Sequence, residues 1–399
     1  MARQQTSLLR RLIRSAGIGL IVVSFGVTTR ASLVCGSAIQ QSLRLIDVVA
    51  GLSFGCALLS DGSVHCWGAN DKGQLGIGTM DSASHGVARV PGDLRFRSLR
   101  AGFNTVCGIT DQADAFCWGA GDWAQLGHGR YGHSAVPALV AGGLKFRAVM
   151  PGGTITCGIA IGGELYCWGG NNHGQVGVGD KNGDPDTSCC YKRPRRVAAD
   201  RLFKAVMAGG IHGCAVDVDG KGYCWGYQHD GRLGNGEPGT ARNVPDLPAP
   251  VPIATDATLT ELAGRSWHTC AFTVSADLLC WGLGEHGRLG NGSADSRPVP
   301  TRVVTPTRFK TVSVGSRHSC GVTEAGLAYC WGSNESGEVG GSASGPVVLP
   351  REVQALRGIS AIAAGGTEAG NGFTCALATG RLVCWGANNQ GQKVEWSPQ

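Results

Sequence analysis

Cys-Trp-Gly occurs seven times in this chain, and each time another cysteine stands nine or ten residues earlier. The pairs are Cys56/Cys66, Cys107/Cys117, Cys157/Cys167, Cys214/Cys224, Cys270/Cys280, Cys320/Cys330 and Cys375/Cys384. Their tryptophans, Trp67, Trp118, Trp168, Trp225, Trp281, Trp331 and Trp385, follow one another every 50 to 57 residues. A fixed period of this size is the mark of a repeat architecture. Most residues then build the repeat, and function is to be sought where one unit departs from the others.

The second unit shows what one repeat contains. Phe96 to Ala101 alternates like a strand, Gly102 to Thr105 turns, and Val106 to Ile109 is a second strand. After a tight turn, Ala115 to Trp118 is a third strand; a glycine-rich loop ends at Gln125-Leu126-Gly127, and a fourth strand lies near Pro137 to Val140. Four short strands per repeat with Gly and Pro punctuation predict a propeller blade. The fold class is therefore all-β, a seven-bladed β-propeller with four-stranded blades. A length of 399 residues would ordinarily mean two or three domains. Seven units from about residue 43 onward argue instead for one closed ring, which hides most strand edges.

The cysteine spacing fits hairpins. Six pairs are ten apart, leaving three-residue turns such as Ser60-Asp61-Gly62, Val218-Asp219-Gly220 and Glu324-Ala325-Gly326. A glycine in third place suits the left-handed position of such a turn. The last pair is nine apart, and its turn shrinks to Thr379-Gly380. Register survives both lengths, so the two cysteines of a pair face each other across a hairpin, within disulfide reach.

The N-terminus predicts a secretory signal peptide over residues 1–31, with the propeller over 32–399. Arg3, Arg10, Arg11 and Arg14 form a basic region, Ala16 to Val27 is apolar, and Thr29-Arg30-Ala31 offers small residues for cleavage. The apolar stretch is too short to span a bilayer comfortably, so no transmembrane span is expected in the mature chain. Arg10-Arg11 fits the twin-arginine pattern poorly, and Ser32-Leu33-Val34-Cys35 is a poor lipobox. The leader holds five of the 35 basic residues and none of the 29 acids. The overall +6 is thus mostly leader, and nucleic acid is not an expected partner. Export would make seven disulfides within blades the favoured pairing. In a reducing compartment the same cysteines would pack as small hydrophobes. Cys35, Cys189 and Cys190 stand outside the pairs, and an odd number leaves one free or shared. The segment around Cys189-Cys190 is expected to be mobile and exposed.

The strings Trp67 to Gly78, Ser266 to Ala271 and Gly287 to Gly292 resemble the regulator of chromosome condensation repeat. The resemblance covers nearly the whole mature chain and implies a seven-bladed propeller. The cysteine pair departs from the nuclear founding member. It is similar to an extracellular branch seen in ectodomains of crinkly-type plant receptor kinases and in exported bacterial proteins. The family's best-known activity, nucleotide exchange on a small GTPase with chromatin binding, would use a protruding wedge that no segment here matches. A secreted propeller that inhibits beta-lactamase is an analogy of architecture only.

No catalytic constellation emerges. Gly51-Leu52-Ser53-Phe54-Gly55 has the nucleophile-elbow spelling but lies between two strands, whereas the elbow joins a strand to a helix. His212, His268 and His318 precede the first cysteine of their blades by two, where other blades put Phe54, Thr105, Ile155 and Phe373. A position that accepts Phe and Ile is a packed one, so these histidines read as structural. No paired carboxylates, phosphate-cradling loop or Cys/His metal spacing occurs in the sequence, so no enzyme activity, cofactor or metal is expected. The sequons at Asn291 and Asn334 would matter only in a eukaryotic secretory pathway.

The departures from the repeat are the candidate binding residues. Asp180 to Arg196 inserts between blades 3 and 4 with the basic run Lys192, Arg193, Arg195 and Arg196. Blade 7 gains Thr367 to Gly372, including Glu368 and Asn371. Trp123 replaces a residue that is Lys72 in blade 1, and Trp267 occupies a turn read as one residue longer than its equivalents. First-to-second and third-to-fourth connections leave an up-and-down blade on the same side, so all four features are expected on one face. Loops bearing aromatic and basic residues on a rigid scaffold fit a protein partner. Nucleotide exchange and enzyme inhibition are the alternative readings. Ring closure is expected from Ser32 to Gln40 pairing beside Leu382 to Trp385, with Lys393 to Trp396 folding back as the rival.

Overall fold

The computed structural model describes residues 43–187, 189–239, 244–341, 345–354 and 356–398. The leader, Cys35 and Ser32 to Gln40 lie outside them. The described chain forms seven four-stranded antiparallel sheets, each in simple up-and-down order. Blade 2 is Phe96–Ala101, Thr105–Thr110, Ala115–Gly119 and Ser134–Leu139, close to the expected bounds. The first strand of each blade is innermost and lines a central channel. The second strand is buried from end to end in all seven blades. Each second strand lies between its own blade's neighbours and the adjacent blades, which is why these segments carry little charge.

Each member of Cys-Trp-Gly has a separate job. The cysteine faces its partner directly across the hairpin, as Cys107 does Cys117. The bonded pairs are Cys56–Cys66, Cys107–Cys117, Cys157–Cys167, Cys214–Cys224, Cys270–Cys280, Cys320–Cys330 and Cys375–Cys384, with Cα atoms 4.0–4.1 Å apart. Every bridge lies within one blade, including the last, whose turn is a residue shorter. The tryptophan reaches into the preceding blade. Trp118 Nε1 donates to the Gln74 carbonyl at 3.2 Å, Trp168 to Gln125 at 2.9 Å and Trp225 to Gln175 at 2.9 Å. Trp281, Trp331 and Trp385 do the same to Arg232, Arg288 and Glu338 at 3.0–3.1 Å. Six of the seven indoles are fully buried, and truncating a buried Trp typically costs ~3–5 kcal/mol. The glycine takes a positive φ, 101° at Gly68, and a Cβ there would lie 2.5 Å from the Ser53 carbonyl oxygen. No other residue fits that approach.

The ring closes through the C-terminus. Glu395–Trp396 pairs with Leu382 and Val383 as the fourth strand of blade 7. Trp67 Nε1 donates to the Gln392 carbonyl at 3.1 Å, and the Trp396 ring lies 5.0 Å from that of His65. The rival closure is therefore the observed one. Trp396 also packs on the core cluster formed by residues of blades 1 and 7.

Two turn readings change. Four residues separate Gly264 from its partner Thr269, as four separate Ala50 from Gly55, so the Trp267 turn is of ordinary length. The dipeptide Ala263-Gly264 resembles Ala101-Gly102, but Gly264 is the residue equivalent to Ala101, still within the strand. The blade 7 turn is longer, with nine residues between Ala364 and Thr374. Thr379-Gly380 forms the expected two-residue turn, both residues at positive φ.

Candidate binding site at one mouth of the channel

Where each first strand ends, its next residue reaches the channel neck. Six blades place glycine there: Gly51, Gly102, Gly152, Gly209, Gly315 and Gly365. Neighbouring backbones crowd these positions. A Cβ on Gly102 would lie 2.3 Å from the Gly152 carbonyl oxygen, and one on Gly152 would lie 2.1 Å from that of Gly209. Blade 5 alone has a side chain, Arg265. Its guanidinium crosses the channel, donating to the carbonyls of Ala50 at 2.8 Å and Gly102 at 3.0 Å. Burial pushes its pKa down to about 10, with the Glu368 carboxylate opposing that shift. Sequence reasoning missed Arg265. The signal was one arginine in a column of glycines, hidden by the misread turn.

The following position is Leu52, Phe103, Gly153, Gly210, Ser266, Ser316 and Gly366 in blade order. Gly153 and Gly210 leave adjacent blades without side chains. The Phe103 ring fills part of that space, with its Cζ 3.3 Å from where a Gly210 Cβ would stand. Above it opens a cavity of about 310 Å³, walled by Phe103, Trp123, Ile211 and Trp267, with Asp122 and Glu368 also lining it. Phe103 also borders the larger channel cavity of about 440 Å³ below, where Arg265 lies.

Each aromatic wall is held. The Trp123 amide donates to Gln125 Oε1 at 2.9 Å, the loop bond that Lys72 and His173 make in their blades, yet the indole stays 38% exposed. One face of Trp267 is covered by the Arg232 guanidinium, 4.2 Å from the ring centroid. Arg232 is itself buried and paired with Asp230 at 2.6 Å; burial lowers its pKa to about 10. Glu368 reaches from blade 7 to Arg288 at 3.5 Å. Burial raises its carboxyl pKa, while Arg288 and a hydrogen bond from Ser266 favour the charged form. The blade 7 turn is anchored by Ser336 Oγ, which donates to the Gly370 carbonyl at 2.6 Å. Asn371 is half-buried in this turn and does not line the cavity.

The structure thus brings Trp123, Trp267 and Glu368 together and places the basic run elsewhere. Lys192, Arg193, Arg195 and Arg196 lie on the outermost strand of blade 3, Cys190–Val197. Lys192 pairs with Asp186, Arg195 with Asp184 at 2.6 Å, and Arg196 donates to the Ala199 carbonyl. Arg193 is exposed and lies close to Gly129. The inserted acids thus offset much of the inserted basic charge.

The cysteines stand apart from the cavity. The third-strand members Cys66, Cys117, Cys167, Cys224, Cys280, Cys330 and Cys384 are all buried, and so are their second-strand partners. None of the fourteen lines the cavity, so they staple the blades and present nothing to a ligand. Cys189 and Cys190 are bonded to each other, and Cys190 is fully buried beside Gly170. Asp180 and Asp184 tie the insertion down through Asn171, Tyr191 and Lys192. The expectation of a mobile, exposed segment is thereby corrected for Cys190, which is buried and starts a strand. The odd cysteine is then Cys35, outside the described residues.

His212, His268 and His318 are buried latches between blades. Their Nε2 atoms meet Thr269 Oγ1 at 3.2 Å, Ser319 Oγ at 2.8 Å and Thr374 Oγ1 at 2.9 Å. Ser53 sits in the turn between the first two strands of blade 1. Asn334 is buried, its Oδ1 accepting from the Val339 amide at 3.1 Å.

The family model described as the RCC1-like domain matches residues 26–320, and that of the regulator of chromosome condensation repeat matches 309–338. The ultraviolet-B receptor UVR8 of Arabidopsis thaliana is 28% identical over 262 residues, 64% of this chain and 57% of that protein. The mitochondrial RCC1 domain-containing protein RUG3 of the same plant is 31% identical over 257 residues, 62% of this chain and 56% of RUG3. The chain thus spans little more than half the length of these relatives. Among solved structures, yeast RCC1 (Prp20), crystallised with Kap60, superposes with a TM-score of 0.70 at 22% identity, covering 81% of this chain and 78% of its own. The CRINKLY WD40 ectodomain of the Arabidopsis thaliana receptor kinase ACR4 gives 0.52 at 20% identity, covering 88% and 98%. These two likenesses are of fold. With more than half its length matched by one family model, this seven-bladed, cysteine-paired propeller belongs to the RCC1-like domain family.

Proposed function

We propose that this protein is an exported, disulfide-stapled propeller that binds another protein through the face bearing Trp123 and Trp267, and that it is not an enzyme. The observation that carries this reading is the aromatic-walled cavity of about 310 Å³, which leaves Trp123 38% exposed on a rigid loop. Binding hot spots are enriched in such tryptophans, set in pockets on pre-organised scaffolds. Support for export comes from the seven hairpin disulfides, which persist in oxidising compartments, and from the basic and apolar leader. The fold likeness to a plant receptor ectodomain points the same way. Nucleotide exchange on a small GTPase would draw on the 26% identity to the mouse regulator of chromosome condensation. It would place the chain in a reducing compartment, where such disulfides are rare.

A photo-cross-linking residue at position 123 tests the reading. In cells producing the intact protein it is expected to yield a discrete protein adduct. The same residue at position 299, on the outermost strand of blade 5, is expected to yield none. Equal adducts at both positions would contradict the assignment of the face.

A further inference from the structure

We infer that the cavity receives one large apolar side chain of the partner and that this side chain is flanked in the partner by lysine or arginine; the inference rests on the protein-binding reading above. The cavity exists because Gly153 and Gly210 stand in adjacent blades where four of the other five have side chains, and its walls are Phe103, Trp123, Ile211 and Trp267. A volume of about 310 Å³ has room for a large side chain.

Charge selects the flanks. Of the described residues lining the cavity two are acidic, Asp122 and Glu368, and none is basic. Asp122 is more than half exposed, and its ion-pair contact is His133 Nε2 at 3.6 Å. Glu368 is partly exposed beside Arg288. A partner segment crossing the mouth therefore meets carboxylates. Charge below selects the tip. The Arg265 guanidinium lies beneath the floor, 5.9 Å from the Phe103 ring centroid. Both its terminal nitrogens are bonded to carbonyls. A cationic tip would be repelled by this buried charge, and an anionic tip would have to pass two carboxylates and stop against Phe103. An apolar tip avoids both costs, and basic neighbours on the partner gain from the acidic mouth.

The test pans a phage-displayed random peptide library on the intact, oxidised protein. The enriched peptides are expected to share one large apolar residue next to lysine or arginine, and to compete with one another. Gly210→Leu fills the cavity; the backbone at Gly210 is outside the left-handed region, and an added Cβ would meet nothing closer than 3.3 Å. It is expected to weaken these peptides at least about tenfold. Asp122→Lys, at an exposed position that leaves packing intact, is expected to weaken them in a salt-dependent way and to shift enrichment toward acidic flanks. No enriched family, acidic flanks on the wild-type protein, or equal binding to both folded variants would each overturn the inference. If the cross-link at position 123 persists in those cases, the face still binds protein and only the cavity's role fails. If that adduct is absent too, the binding reading fails with it.

Discussion

In a reducing buffer the propeller is expected to lose its folded ring at a temperature at which the oxidised protein is intact. Each hairpin disulfide closes a loop of nine or ten residues, worth about 3 kcal/mol in the chain-entropy view. Removing one pair, for instance Cys157→Ala with Cys167→Ala, is therefore expected to be tolerated. All seven together amount to about 20 kcal/mol, more than the ~5–15 kcal/mol that holds an ordinary domain. Thermal unfolding followed by circular dichroism, with and without a thiol reductant, checks this. A reduced protein melting within a few degrees of the oxidised one would show that the strands and indoles suffice alone.

Acid is the second large lever. His212, His268 and His318 are buried and neutral. Burial, aided at His212 by the nearby Arg232 charge, lowers the His212 pKa to about 3. Burial lowers His268 well below the ordinary imidazole value, and Arg288, His318 and His212 add to it. His318 falls by burial to about 4, where the neighbouring Glu338 charge limits the drop. An unfolded chain protonates these rings near pH ~6.5, while the folded chain does not. The unfolded state thus binds more protons below that pH, so stability is intact above it and falls on acidification toward about pH 4. The slope is ~1.4 kcal/mol per pH unit for each histidine, or about 2 kcal/mol each by pH 5. Glu368, its pKa raised by burial, works in the opposite direction. Urea unfolding at a series of pH values reads the slope. His268→Phe, which copies Phe54 and Phe373, is expected to flatten it by one histidine's share. An unchanged slope would mean that His268 is not the buried neutral group described.

The sequence showed the ring because every repeat must solve the same contacts. Cysteine must face cysteine, indole must reach a carbonyl of the previous blade, and glycine must pass beneath a carbonyl. Those demands recur seven times, so they are written seven times. The site was harder to read because two of its determinants are missing side chains. Gly153 and Gly210 look like any turn glycine until the neighbouring blades are placed beside them. Trp123 stood out because its column is otherwise polar, and Trp267 because its turn read as one residue longer than its equivalents, although the register makes it ordinary. Their meeting with Glu368 depends on ring geometry that no local pattern encodes. The basic run misled in the other direction. Its four charges looked like a loop, but from Cys190 onward they follow a strand ladder against Leu165 to Gly170, and two of them, Lys192 and Arg195, pair with acids of their own insertion. The fourth strand of blade 7 ranked only as the rival closure because it is two residues long and the loop before it lacks the usual Leu-Gly pair.

The most direct test of the central claim is the affinity of the partner identified by cross-linking, measured calorimetrically for the wild type and for Trp123→Ala combined with Trp267→Ala. Two aromatic anchors at a pocketed interface are each worth ~2 kcal/mol or more. The double variant, shown by circular dichroism to keep its fold, is expected to bind at least about 100-fold more weakly. An affinity within about threefold of the wild type would place the interface elsewhere on the propeller.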